Sequence, residues 1–248
     1  MREIKIFDDW NDENILTFEK SIENDDTAFK EFNARIVNTP SRIIGVRIPE
    51  LHKTAKEIAR SKGADGFISL NYDGSFELTT LRGLVIAYMK NIDISKRIEL
   101  LDSFIDSIDN WATVDVVSGA IKINSREYEI FLENALQSSD TWRIRFGVVS
   151  LMSNFMLEDR VNSVLQKIAS VRAYDDYYVD MAIAWAISVA YVRDRAATEK
   201  IFEEYDLSER VLRKSVSKIC DSRRVSLDDK KRMKERLKER LARLSVTK

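Results

Sequence analysis

The sequence predicts an all-α protein built from stacked antiparallel helix pairs, and three observations carry that expectation. Apolar residues recur at helical spacing along nearly the whole chain. Breakers are scarce: 7 glycines and 2 prolines in 248 residues. That is too few for the turns of a β-sandwich or a nucleotide-binding α/β sheet. The second half also repeats a rhythm of helix pairs, in TWRIRFGVVSLM (141–152), YYVDMAIAWAISVA (177–190) and SERVLRKSVSKIC (208–220). The starts of these segments lie roughly 30 to 36 residues apart, the period of helix-pair repeats. In each turn of the rhythm a mostly apolar helix is followed by a more polar one. Such pairs cannot bury their faces alone, and stacking them gives a curved solenoid with a concave cleft.

The periodicity places fourteen helices, at about 12–23, 26–36, 50–61, 64–71, 75–90, 94–105, 108–118, 124–137, 140–155, 158–169, 174–192, 195–203, 208–220 and 226–243. Start signals support several. Pro49 stands in a first turn, where its missing N–H costs nothing. Ser125 precedes a run with Glu127 and Glu129 in its first turn, where acids suit the helix dipole. Ser226 stands before Leu227-Asp228-Asp229 in the manner of an N-cap. No Pro- or Ser-rich linker divides the chain, so a single domain over 1–248 is expected.

Composition narrows the function classes. The chain is 44% hydrophobic and 33% charged, enough for one continuous helical array. Its single cysteine, Cys220, allows no intrachain disulfide and fits a reducing cytosol. Its single histidine, His52, argues against a histidine-based metal site or a Ser-His-Asp triad. The opening MREIKIFDDWNDEN has acids where a secretory signal needs an apolar run. No apolar stretch approaches the ~20 residues that span a bilayer. A soluble, cytoplasmic protein is expected.

The formal net charge is -1, but charge is unevenly spread. Residues 1–30 carry nine acids against four bases, whereas 205–248 carry fifteen bases against seven acids. The C-terminal run reads either as a solvated mixed-charge helix or as a cationic surface facing phosphates.

The stretch DNWATVD (109–115) holds the most informative pair, Trp111 and Asp115. A four-residue step returns both side chains to one helix face. Val114, Val116 and Val117 flank the carboxylate, and an acid in apolar surroundings needs a partner or a task.

Six segments, in order and spacing, make the chain resemble the AlkD-like DNA alkylation-repair family: GVRIPELHKTAKEIAR (45–60), LRGLVIAYMK (81–90), IDNWATVD (108–115), WRIRFGVVSLM (142–152), YYVDMAIAWAISVAYV (177–192) and SRRVS (222–226). The resemblance runs from about Phe29 to Leu241 and is weakest before Thr39. It implies a HEAT-like helical-repeat solenoid and hydrolysis of the N-glycosidic bond of alkylated purines such as 3-methyladenine and 7-methylguanine. The tryptophan and aspartate of the family's W-x-x-x-D helix fall on Trp111 and Asp115. Its arginine falls best on Arg145, with Arg143 the other choice, and the tryptophan of its A-x-x-W-A helix falls on Trp185.

The resemblance further implies that Asp115 stabilises the oxocarbenium-like sugar and orients water. The two indoles would hold the cationic sugar against their electron-rich faces. Arg145 would contact a phosphate. No metal or organic cofactor is called for. The implied partner is double-stranded DNA carrying alkylated bases, bound by a monomer, with Arg47, Lys53, Arg82, Arg143, Arg223 and Arg224 as candidate phosphate contacts.

Simpler readings stand beside these. Trp111 alone is a core aromatic, and Asp115 alone is a helix cap or a structural partner of Arg145. The basic residues alone are solvated surface. Trp10 and Trp142 are assigned to packing, His52 to an exposed helix position and Cys220 to the buried core. Two other functions fit a helical repeat: a non-enzymatic DNA-binding scaffold and a protein-interaction solenoid.

Overall fold

A computed structural model describes residues 4–70, 74–171 and 176–246. Among them are fourteen α-helices, a 3-10 turn at Glu158–Arg160 and no strand, in agreement with the all-α expectation. The helices fall into two compact units, Met1–Ile123 and Asn124–Lys248. No helix of the described residues is long and apolar enough to cross a membrane.

The first unit comprises α1 (Asp12–Ile22), α2 (Thr27–Val37), α3 (Ile48–Ile58), α4 (Ala64–Ser69), α5 (Phe76–Tyr88), α6 (Ile94–Ile105) and α7 (Trp111–Ala120). Its centre is α5, apolar on nearly every side, with Leu81, Leu84, Val85 and Ile86 fully buried. Helices α3 and α7 pack against α5, as do α4 and α6. Close approach depends on Gly83: a Cβ there would lie 2.4 Å from the Phe104 ring of α6 and 2.6 Å from Val117 of α7. Trp10 packs edge-on to Phe7, Phe18 and Phe67, so its assignment to packing holds.

The chain between α2 and α3 is shaped by two positive-φ residues. Asn38 (φ 53) ends α2 in the left-handed conformation, and Gly45 (φ 82) turns the loop. Buried Glu77, in the first turn of α5, accepts hydrogen bonds from the backbone N–H of Ile44 (3.0 Å) and Gly45 (2.6 Å). These bonds satisfy donors that the turn would otherwise leave orphaned in the interior.

The second unit comprises α8 (Arg126–Ala135), α9 (Thr141–Asn154), α10 (Val161–Ala169), α11 (Tyr177–Arg193), α12 (Arg195–Glu204), α13 (Glu209–Asp221) and α14 (Leu227–Val246). The three rhythmic segments coincide with α9, α11 and α13, and α11 packs against both of the others. Helices α9 and α11 are buried on several sides. The third segment departs from the rhythm: α13 buries one stripe, Val211, Leu212, Ser215, Val216 and Ile219, and is charged elsewhere. It behaves as the end of a stack, where one face meets water.

Outer helices α8 and α10 are joined by ions. Glu129, 3% exposed, lies 2.5 Å from Arg160, 2.5 Å from Lys167 and 3.1 Å from Arg126. The expected helix at 158–169 is divided, its first residues forming the 3-10 turn before α10.

Candidate functional site

Helix α7 starts at Trp111, three residues later than the periodicity alone suggests, because Asn110 caps it. The Asn110 side chain accepts from the Thr113 N–H (2.8 Å) and donates to Asp109 Oδ1 (2.6 Å). Asp109 Oδ2 in turn accepts from the hydroxyls of Thr39 (2.9 Å) and Ser41 (2.7 Å), in the chain that follows α2. Below this cap the buried hydroxyls of Thr80 and Thr113 lie 3.0 Å apart, joining α5 to α7.

The network fixes the indole. Trp111 Nε1 donates to the Ile36 carbonyl (3.2 Å), and the half-buried ring, like Ile43, packs against the buried cluster of Val37, Phe76 and Ala112. Trp111 is therefore both a core wedge and a partly open surface. One turn on, Asp115 is half-buried on the same side of α7. The valines that flank it in sequence divide: Val114 and Val117 face the core, while Val116 is half-exposed. A further turn on comes Gly119, exposed, where an added Cβ would meet nothing within 4 Å. The accessible side of α7 is thus an aromatic ring, a carboxylate and an open gap at successive turns.

In the second unit, Arg145 is 6% exposed on α9, and its Nη1 donates to the Tyr178 carbonyl in the first turn of α11 (2.7 Å). Arg143, two residues earlier, is half-buried in the turn capped by Asp140. Trp185 is half-exposed on α11, about two turns beyond Tyr178. It belongs to a stripe of half-exposed residues at helical spacing, Tyr178, Met181, Trp185, Val189 and Val192. Trp142 packs its ring 4.9 Å from Tyr178, as expected of a packing residue.

The remaining candidates divide by environment. Arg47 is exposed before α3, with its guanidinium 4.2 Å from the centre of the Phe29 ring and 3.5 Å from Asp26. Lys53 is exposed on α3, and Arg223 and Arg224 are exposed between α13 and α14. Arg82 is half-buried and donates to the Leu70 carbonyl (2.7 Å), so part of its donor capacity holds the end of α4. His52 is half-buried rather than exposed, with Nδ1 2.7 Å from the Tyr88 hydroxyl. Burial, helped by Lys56, holds its pKa below the usual imidazole value. Cys220 is half-buried rather than buried. No group of three or more histidine, cysteine or acidic residues suited to a metal ion occurs among the described residues.

Residue-type reasoning about Trp111 and Asp115 overlooks Asp109, Asn110, Thr39 and Ser41, which orient the indole. The available signal is Asn110, an N-cap residue type directly before Trp111.

The family described as DNA alkylation repair enzyme matches residues 20–219. The chain belongs to this family. Its role is in the repair of alkylated DNA, and it is a repair enzyme. The match contains Trp111, Asp115, Arg143, Arg145 and Trp185, and it ends before SRRVS and α14. Comparison with curated proteins and with solved structures gives no match.

Proposed function

We propose that this DNA alkylation repair enzyme is a glycosylase that hydrolyses the N-glycosidic bond of cationic alkylpurines, such as 3-methyladenine and 7-methylguanine, in double-stranded DNA. The observation that carries the reading is the half-exposed pairing of Trp111 and Asp115 one turn apart on α7, in a chain of this family.

An N3- or N7-alkylated purine already bears positive charge, so it leaves without a protonating acid. The C1′–N bond breaks, and its electron pair goes to the departing base, which leaves neutral. Water adds to C1′ and gives up a proton. Positive charge passes through the deoxyribose meanwhile, and the Asp115 carboxylate opposes it and orients the water. The open face of Trp111 favours the cationic sugar over the neutral one. Trp185 is assigned the same role and Arg145 a backbone phosphate, by their place in the family pattern. The chemistry draws on no metal or organic cofactor, and we propose that the protein works as a monomer in the cytoplasm.

The test is incubation with methylated genomic DNA and chromatography of the released bases. The wild type should release 3-methyladenine or 7-methylguanine. Asp115→Asn should slow release on the order of 10²–10³-fold, as expected when a transition-state charge loses its counter-charge, with folding intact. Full excision by that variant removes Asp115 from the mechanism. DNA binding without any release by the wild type points instead to a scaffold.

A further inference from the structure

Helix α14 sorts its cations by type. Its arginines turn toward α12 and the chain that follows it: Arg232 and Arg236 pair with Glu199 (3.1 and 3.0 Å), and Arg243 pairs with Glu203. Arg240 donates to the Tyr205 carbonyl (3.0 Å). With Met233 fully buried between them, these contacts seat the helix. The lysines do the opposite. Lys231, Lys234 and Lys238 are exposed, Lys230 is half-exposed, and none has an acid within ion-pair distance among the described residues.

Steps of four, four, three and four residues relate these lysines (230, 234, 238 and 231, 234, 238), so they share one edge of the helix, about 12 Å long. The exposed acids Asp228, Glu235 and Glu239 flank this edge on one side, Asp228 and Glu235 next to Lys231 and Glu235 next to Lys238. Arg223 and Arg224 stand exposed in the turn that leads into α14.

Like charges at i,i+4 cost a helix roughly 0.2–0.5 kcal/mol per pair, and neither Lys230 nor Lys234, which make up two such pairs with each other and with Lys238, has an acid three or four residues away to offset it. The strip is therefore better explained by a partner than by stability. Its shape, a straight row of flexible point charges, matches a row of phosphates. The family match stops at residue 219, so family membership alone does not account for this surface.

We propose that the lysine edge of α14, with Arg223 and Arg224, is a phosphate-backbone clamp for duplex DNA. It holds the strand without reading sequence. The inference rests on duplex DNA as the partner in the proposed function, and not on the chemistry of base release.

The test is binding to unmodified duplex DNA across a salt series, using the full chain with Lys230, Lys231, Lys234 and Lys238 all changed to Gln. Each phosphate contact contributes about 0.9 to the slope of log affinity against log salt. The variant's slope should be shallower by about 3 to 4, with affinity at low salt down by about ten-fold or more. Lys→Arg at the same four positions should restore both. Should the fourfold variant fold poorly, Lys234→Gln with Lys238→Gln gives the same reading, with a change of about 2 in slope. Unchanged slope and affinity overturn the proposal. So does strip-dependent binding to anionic phospholipid vesicles with duplex binding unaltered. Base release is not measured here, so loss of the strip and failure of the glycosylase reading are separable.

Discussion

Glu77 in the first unit and Glu129 in the second are both buried, and the two are satisfied in opposite ways. Glu77 in the first unit is fully buried and accepts from neutral donors, the backbone N–H groups of Ile44 and Gly45. Burial pushes its pKa up, and the amide hydrogen bonds oppose that only in part. Glu129 in the second unit is nearly as buried, and burial pushes it up too. There the hydrogen bonds and charges of Lys167, Arg160 and Arg126 outweigh burial and hold the carboxyl at about 2. Burial alone does not decide the protonation of an acid; the charge of its donors does. Glu77 thus shapes the loop beside Trp111 with neutral hydrogen bonds, while Glu129 ties α8 to α10 with ions.

Glu129→Gln should break the ionic side of this contrast and give the largest stability loss. A carboxyl lowered from 4.5 to about 2 on folding contributes about 3 kcal/mol at neutral pH. That contribution is complete above the unfolded value near 4.5 and is lost as pH falls toward 2. The difference in unfolding free energy between wild type and variant, measured by urea titration, should therefore shrink on acidification. A difference that does not change between pH 7 and 3 would mean that the cations do not hold the carboxylate.

Glu77→Gln should sharpen the other side, with a smaller loss and the opposite pH trend. An amide cannot accept from both Ile44 and Gly45, and orphaning one buried N–H costs about 1–3 kcal/mol. The folded pKa of Glu77 lies above the unfolded one, so the native protein binds the proton more readily. Its contribution is greatest below the unfolded value and falls as pH rises through the window between the two. The cost of Glu77→Gln should then be larger at pH 4 than at pH 8 in the same titrations. Parallel trends for the two variants would erase the distinction between the two glutamates.

Much of this was legible in the sequence, because periodicity reports local burial. All fourteen helices were placed, and the caps at Ser125 and Ser226 hold in the structure. The shared face of Trp111 and Asp115 follows from helical geometry alone. What could not be read depends on contacts distant in sequence. Asp109 reaches Thr39 and Ser41 some 70 residues away, and Glu77 reaches Ile44 and Gly45 across more than 30. Nor does periodicity distinguish the outward lysines of α14 from its inward arginines, since both are polar. Arg82 shows the converse: as a residue type it suggests a phosphate contact, whereas its place under α4 gives it a carbonyl to hold.

The smallest effect separates two helical glycines, one in each unit. A Cβ at Gly147 of α9 would lie 2.9 Å from Leu136 Cδ2, 3.1 Å from the Leu132 carbonyl and 3.3 Å from Ala135 of α8. That glycine sets how closely α8 and α9 pack, and Gly147→Ala should destabilise by forcing the carbonyl or the leucine to move. A Cβ at Gly119 would meet nothing within 4 Å, and the backbone there is already helical. Alanine lowers the entropy of the unfolded chain and favours the helix, so Gly119→Ala should stabilise by a few tenths to about 1 kcal/mol. Thermal melts of the two variants should therefore move in opposite directions. A loss of stability in Gly119→Ala would mean that the space beside Gly119 is already filled, and that this turn of α7 is not open.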